Sequence, residues 1–316
     1  MLRINFIILF SFVSLFSFGQ FNLLNADSPD DVGKKTEQQK ALDFNQPLEY
    51  PYVDDKDILW SRIVYEYIDG YEQFNYPLFY PLEDAFFTEE RRSLWRIIRE
   101  YIYYETVQNV EDLSIEGNEN KTVLTLYDPL YRNFNVKSKI DFRIPKTDST
   151  SNEVKIAETT FDTNDDGVID ENDIEFIPSK NIIGYNLKGV WYFDKKYGVL
   201  NYRLIGIQPI GYQTFKEEPD EGDIPKPFFW IWFKDLREIL HANTIFSEKN
   251  NSKRITFDQL FISRKFHTYL YRIENILDDR ELSKTPYIED NLYLRITESQ
   301  RLKEVIRNFE HDMWSN

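Results

Sequence analysis

The chain has 316 residues, no cysteine, and 38 basic against 54 acidic side chains, for a net charge of −16. That balance disfavours nucleic acid and anionic membrane surfaces as ligands, since both are negative. The lack of cysteine removes disulfides, thiol nucleophiles and any lipid acceptor at a signal-cleavage site.

Arg3 followed by the apolar run 4–18 reads as a secretory signal peptide over residues 1–19, with Ser17 and Gly19 as the small residues before the cut. As a helix that run is roughly 22 Å long, short of the about 30 Å of a bilayer core, so a cleaved leader is expected rather than an anchor. No later segment is apolar enough to span a membrane, and no direct membrane insertion is expected. Residues 20–50 are polar, lack periodicity and contain Pro29, Gly33 and Pro47; they read as an extended arm.

A helical N-terminal part is expected over residues 51–110. Leu59, Ile63 and Tyr67 fall four apart, as do Trp60, Val64 and Ile68, which predicts a helix over 57–69. The run FNYPLFYPL that follows has two prolines and cannot continue it. A second helix is expected from Thr88 as N-cap, with Leu94, Trp95, Ile97, Ile98, Tyr101 and Ile102 on its apolar side.

Residues 111–180 form a weakly patterned, variable region with strand-like runs at 123–126 and 139–144. The part from 181 to 316 is clearer. YNLKGVWYF and VLNYRLIGI, joined by Asp194-Lys195-Lys196-Tyr197-Gly198, predict a β-hairpin over 185–207. FFWIWF leads into a short helix over 234–241, another is expected around 257–266, and the last runs over 298–313. Strands and helices do not alternate as βαβ units. The expected fold is therefore α+β, with mixed helices and antiparallel strands in a single large or bilobed domain after the signal peptide.

Enzyme signatures are absent: there is no GxSxG, HExxH, Walker or GxGxxG pattern, and His241, His267 and His311 have no metal-ligand spacing. One metal motif is specific. In the twelve-residue run DTNDDGVIDEND, Asp162, Asn164, Asp166, Asp170 and Asp173 supply oxygens at positions 1, 3, 5, 9 and 12. Gly167 permits the turn, Val168 offers its carbonyl, and Ile169 is apolar. A hard cation needs this density of oxygens, so structural Ca2+ is expected here. Position 12 is Asp rather than Glu, as in dockerin-type loops. Thr159, Thr160 and Phe161 enter the loop in strand-like fashion, and Pro178 confines any exit helix to 171–177.

Several aromatic-acidic blocks run in order over most of the chain. They are YVDDKDILWSRIVYEYID, NYPLFYP, RRSLW, KGVWYFDKKYGVLNYRLIGIQPI, FFWIWFKDLREILH, ITFDQLFISRKF, DDREL and ESQRLKEVIRNFEHDMW. Together they resemble the GldN/PorN family of gliding-motility and type IX secretion proteins. The resemblance implies a non-catalytic periplasmic protein that forms a ring with an outer-membrane lipoprotein of the GldK/PorK family. It also implies contact with a GldM/PorM-like periplasmic motor protein. Region 111–180, with its calcium loop, departs from the family pattern. Trp60, Trp95, Trp230, Trp232 and Trp314 are candidate interface anchors, although core packing is the commoner fate of each. Two other readings stay open from the residues alone: a calcium-stabilised adhesion or polysaccharide-binding module, and a hydrolase using Asp/Glu pairs.

Overall fold

Three long strands carry the architecture. The computed structural model describes residues 47–83, 91–102, 126–127, 139–140, 157–158, 175–216, 218–245, 255–274, 281–284 and 291–315. Its strands are β1 (Ile58–Asp69), β2 (Leu126–Tyr127), β3 (Lys139–Ile140), β4 (Ala157–Glu158), β5 (Glu175–Phe176), β6 (Ile182–Asp194), β7 (Val199–Gly211), β8 (Lys226–Pro227), β9 (Trp230–Trp232), β10 (Thr244–Ile245), β11 (Ile255–Thr256) and β12 (Tyr269–Ile273). Its α-helices are α1 (Tyr76–Phe79), α2 (Leu94–Tyr101), α3 (Phe233–Ala242), α4 (Phe257–Ile262) and α5 (Leu292–Ser315). The main sheet is antiparallel and curled, in the order β12-β1-β6-β7-β9-β2-β3, with β8 also beside β7. The fold is α+β, as the lack of alternating βαβ units predicts. Among the described residues no helix is long and apolar enough to cross a membrane.

The expected hairpin is present and longer than its sequence signal: β6 pairs with β7 from Ile182↔Gly211 to Asp194↔Val199. Asp194 closes it, accepting the Lys196 and Tyr197 amides at 2.8 and 3.2 Å, while Gly198 turns through φ 65°. The helix expected over 57–69 is instead β1, paired along its length with β6 and at Val64–Tyr67 with β12. A spacing of four is two strand periods and close to one helical turn, so it does not separate helix from strand. Composition does: Ile58, Trp60, Ile63, Val64, Tyr65, Tyr67 and Ile68 are β-branched or aromatic. The second helix starts at Leu94, where the Ser93 hydroxyl accepts the Arg96 amide at 3.1 Å; Thr88 lies outside the described residues.

Alternation along β1 puts Trp60, Val64, Glu66 and Ile68 on one face, opposite Phe193, Gly189, Leu187 and Tyr185 of β6. This single face carries two apolar clusters. At one end Ile68, Tyr185, Leu187 and Ile207 pack under α2, α3 and α4 through Trp95, Ile98, Phe233, Leu236 and Phe261. At the other end Val64 and Leu270 pack under Ile306 of α5, and Trp60 stacks on Phe309 with centroids 4.7 Å apart.

Between the clusters sits a charge. Glu66 is 2% exposed, and its carboxylate receives Arg264 at 2.8 and 3.0 Å, the Thr268 hydroxyl at 3.1 Å and the Tyr202 hydroxyl at 3.2 Å. The Arg264 guanidinium lies 3.9 Å over the Tyr202 ring. Burial works against the charged guanidinium, yet Glu66 and Tyr202 outweigh it and hold Arg264 above its ordinary range. Lys303 of α5 donates to the Thr268 carbonyl, tying the C-terminal helix to the same network; burial lowers its own pKa.

Arg264 also ends α4. Its amide donates to Phe261 O and that of Lys265 to Leu260 O, a Schellman closure in which the left-handed residue, φ 50°, is arginine where glycine is usual. Arg264→Gly relieves about 1–2 kcal/mol of backbone strain but strands a buried carboxylate, at about 3–5 kcal/mol. A net loss of roughly 2–3 kcal/mol in urea unfolding is expected; equal or higher stability would contradict this balance.

Candidate interaction surfaces

The chain enters the fold as a strap, residues 47–54, along the outer edge of β7. Tyr50 is held between two guanidinium groups, Arg203 at 4.9 Å and Arg237 at 4.6 Å from its ring. Arg237 is fixed by a buried bidentate pair with Asp258 of α4, at 2.8 and 3.0 Å, and also donates to the Leu48 carbonyl at 2.5 Å. Arg203 donates to the Pro51 carbonyl at 2.7 Å. The strap is thus gripped by side chains of the sheet and of α3, with no ladder of its own.

Where the strap turns into β1, a cleft of 580 Å³ opens between it and the tip of the β6–β7 hairpin, lined by Tyr52, Asp54, Asp57, Asp194, Tyr197 and their neighbours. The side chains at its rim are presented to solvent: Tyr52 is 90% exposed and Tyr197 67%. Lys196 lies over the Tyr197 ring at 5.2 Å. Lys56 forms a 2.7 Å pair with Asp54, and its hydrogen bonds lower the Asp54 pKa.

A second surface follows β1. The Asn75 side chain is buried and crosslinks the turn, donating to Asp69 O at 2.9 Å and His267 O at 3.1 Å and accepting the His267 amide at 2.8 Å. His267 Nδ1 meets Glu72 at 2.6 Å. On this pinned base Tyr71 and Phe74 are 78% and 65% exposed, and Tyr76 and Tyr80 pair at 5.0 Å. A third apolar surface is the start of α5, where Leu292, Tyr293, Leu294 and Ile296 face solvent.

The tryptophans behave differently from these tyrosines. Trp95 and Trp230 are buried, Trp60 packs under α5, and Trp232 packs beside Tyr65 and Trp230; the Trp314 side chain lies outside the described residues. Tryptophan content therefore marks the core here. The exposed rings sit at turns, where the neighbouring Pro and Gly in NYPLFYP and KKYG were a usable sign.

The calcium residues Asp162, Asn164, Asp166, Val168, Asp170 and Asp173 lie outside the described residues. Beside them, β4 and β5 pair antiparallel as Ala157↔Phe176 and Glu158↔Glu175, so the exit carries a strand at 175–176 where a helix was allowed. Ile177 then enters the core, its carbonyl accepting Trp95 Nε1 at 2.8 Å and Arg99 Nη1 at 2.5 Å. Among the described residues no three His, Cys, Asp or Glu side chains are grouped to hold a metal. Of the histidines, His241 is buried in the last turn of α3 with neither ring nitrogen partnered among the described residues.

The family model for the gliding motility associated protein GldN matches residues 53–315. The chain belongs to the GldN family. No curated protein matches it. The GldN match opens at Val53 on the wall of the cleft and spans the sheet, the Glu66 network and α5. Both arginines that grip Tyr50 fall inside the match, whereas Tyr50 itself falls outside it.

Burial, offset in part by Arg237, pushes the Tyr50 hydroxyl up to about 12. A folded-state value above the ordinary ~10 means its stabilising contribution is complete below about pH 10 and is lost as pH rises through the folded value. Tyr50→Phe is therefore expected to flatten the alkaline decline of stability between about pH 10 and 12, followed by urea melts. Identical slopes for the two proteins would contradict it.

Proposed function

We propose that this GldN-family chain is a non-catalytic, periplasmic structural subunit of the type IX secretion and gliding-motility machinery. It is exported by the signal at residues 1–19 and assembles into a ring with an outer-membrane lipoprotein of the GldK/PorK family, while contacting a GldM/PorM-like motor protein. The observation that carries this reading is the GldN match over residues 53–315. The surfaces support it: rigidly based turns that hold aromatic side chains in solvent are what a subunit binding other proteins requires, since anchors cost least when pre-ordered.

The test is co-expression with the lipoprotein encoded in the same genome, purification through the lipoprotein, and negative-stain imaging. Ring particles containing both chains are expected. A chain that purifies alone, with no ring in any preparation, would overturn the reading.

We also propose that residues 162–173 bind Ca2+ through Asp162, Asn164, Asp166, Val168 O, Asp170 and Asp173. The antiparallel pair β4–β5 supports this, because it draws together the two ends of the segment holding the motif. The role is structural: an ion that holds the two ends of this segment together would steady Ile177 against Trp95 and Arg99. Millimolar Ca2+ is expected to raise the melting temperature of the wild-type chain, and Asp162→Ala with Asp166→Ala to abolish the rise. No shift in the wild type would end the idea.

A further inference from the structure

The cleft at the hairpin tip has three properties that together specify an occupant. Its floor is a strand edge. Among the described residues β7 is paired on its outer side only at Gly206–Ile207, by β9, and at Ile210–Gly211, by β8. From Val199 to Tyr202 no described strand pairs with it on that outer side, where the strap runs past without a ladder, and Val199 and Asn201 line the cleft between them. An open edge with its amides and carbonyls outward accepts an extended backbone.

Its walls are acidic. Asp54, Asp57 and Asp194 line it, and Lys196 alone among the described lining residues is cationic. The carboxylates are not grouped closely enough to hold a metal; Asp194 is taken up by the turn amides, so an incoming basic segment meets Asp57 and competes with Lys56 for Asp54. The net charge of −16 adds long-range attraction for a basic segment.

Its rim is aromatic, through the exposed rings of Tyr52 and Tyr197. The fold itself uses the matching chemistry next door, where Arg203 and Arg237 close on Tyr50 and Arg203 also faces Tyr192 at 5.6 Å. A guanidinium or ammonium over a tyrosine face is favourable and gains when partly desolvated.

We propose that this cleft is a docking site for an extended segment of a partner protein carrying alternating Arg or Lys, laid along the Val199–Tyr202 edge of β7 with its cations over Tyr52 and Tyr197 and against Asp54 and Asp57. The inference rests on the protein-binding reading above and names one contact within it.

The test uses the full chain and a short fluorescent peptide alternating Arg and Ser, with an alternating Glu–Ser peptide as control, followed by anisotropy at low salt. Saturable, salt-sensitive binding of the cationic peptide is expected. Tyr52→Ser with Tyr197→Ser should weaken it about tenfold or more, equivalent to 1.4 kcal/mol, while leaving the melting curve in place because both rings are exposed. Lys196→Ala removes the competing cation from Tyr197 and should tighten binding, an outcome that a damaged fold would not produce. Equal binding of the Glu–Ser peptide, or cationic binding indifferent to the two tyrosines, would overturn the proposal. So would a neutral oligosaccharide that occupies the cleft while the Arg–Ser peptide does not. The assay needs no lipoprotein, so it can fail while the ring experiment succeeds, and the reverse.

Discussion

The ion pair between Glu66 and Arg264 is the constraint around which the described fold is arranged. The face formed by β1, β6 and β7 is too long for one helical cover, so α2, α3 and α4 take one end and α5 the other. A carboxylate at the seam is tolerable only if it is paired and fully hydrogen-bonded. The partners of this β1 carboxylate come from β7, the end of α4 and Thr268 beside β12, and α5 joins through Lys303, which donates to the Thr268 carbonyl. The docked α5 and the end of α4 are therefore both tied to one charge centre. That tie explains an arginine at a left-handed position: the side chain is needed more than the backbone freedom of glycine.

A sheet stabilised this way gives function a rigid base. The large rings that could have served as anchors, Trp95 and Trp230 among them, are consumed by the interior. What remains for partners stands on turns whose geometry is fixed from below, by Asp194 at the hairpin tip and by Asn75 after β1. Tyrosine suits such places because its body offers apolar area and its tip stays wetted. Pre-ordered turns lose little entropy on binding, which favours durable assembly over transient encounter.

Much of the second half was legible because its local signals agree with its tertiary role. The β6–β7 hairpin announces itself through two β-prone runs around a short turn ending in Gly198; helices were expected where α3 and α4 stand, and the apolar spacing over 298–313 marks most of α5, which begins earlier, at Leu292. β1 was not legible from spacing, since residues four apart share a face in either period; only its strand partners, distant in sequence, decide it. The Glu66 network leaves no sequence mark at all, because Glu66, Tyr202, Arg264 and Thr268 meet only after the sheet forms. The strap shares only residues 47–50 with the segment 20–50 read as an extended arm, the rest of which lies outside the described residues, and the clasp on Tyr50 depends on Arg203 and Arg237, each more than a hundred residues away. Exposed tyrosines were hidden behind the larger tryptophans, whose burial composition alone cannot foretell.

If binding through pinned aromatic turns is the output of this fold, hydrogen–deuterium exchange of the chain alone and in complex with the lipoprotein proposed as its partner addresses it most directly. New protection should concentrate at the hairpin tip around Tyr197, the strap around Tyr52 and the turn from Tyr71 to Tyr80, with the interior of β1, β6 and β7 unchanged. Protection confined to the strand interiors, or an exchange pattern identical in the two states, would contradict it.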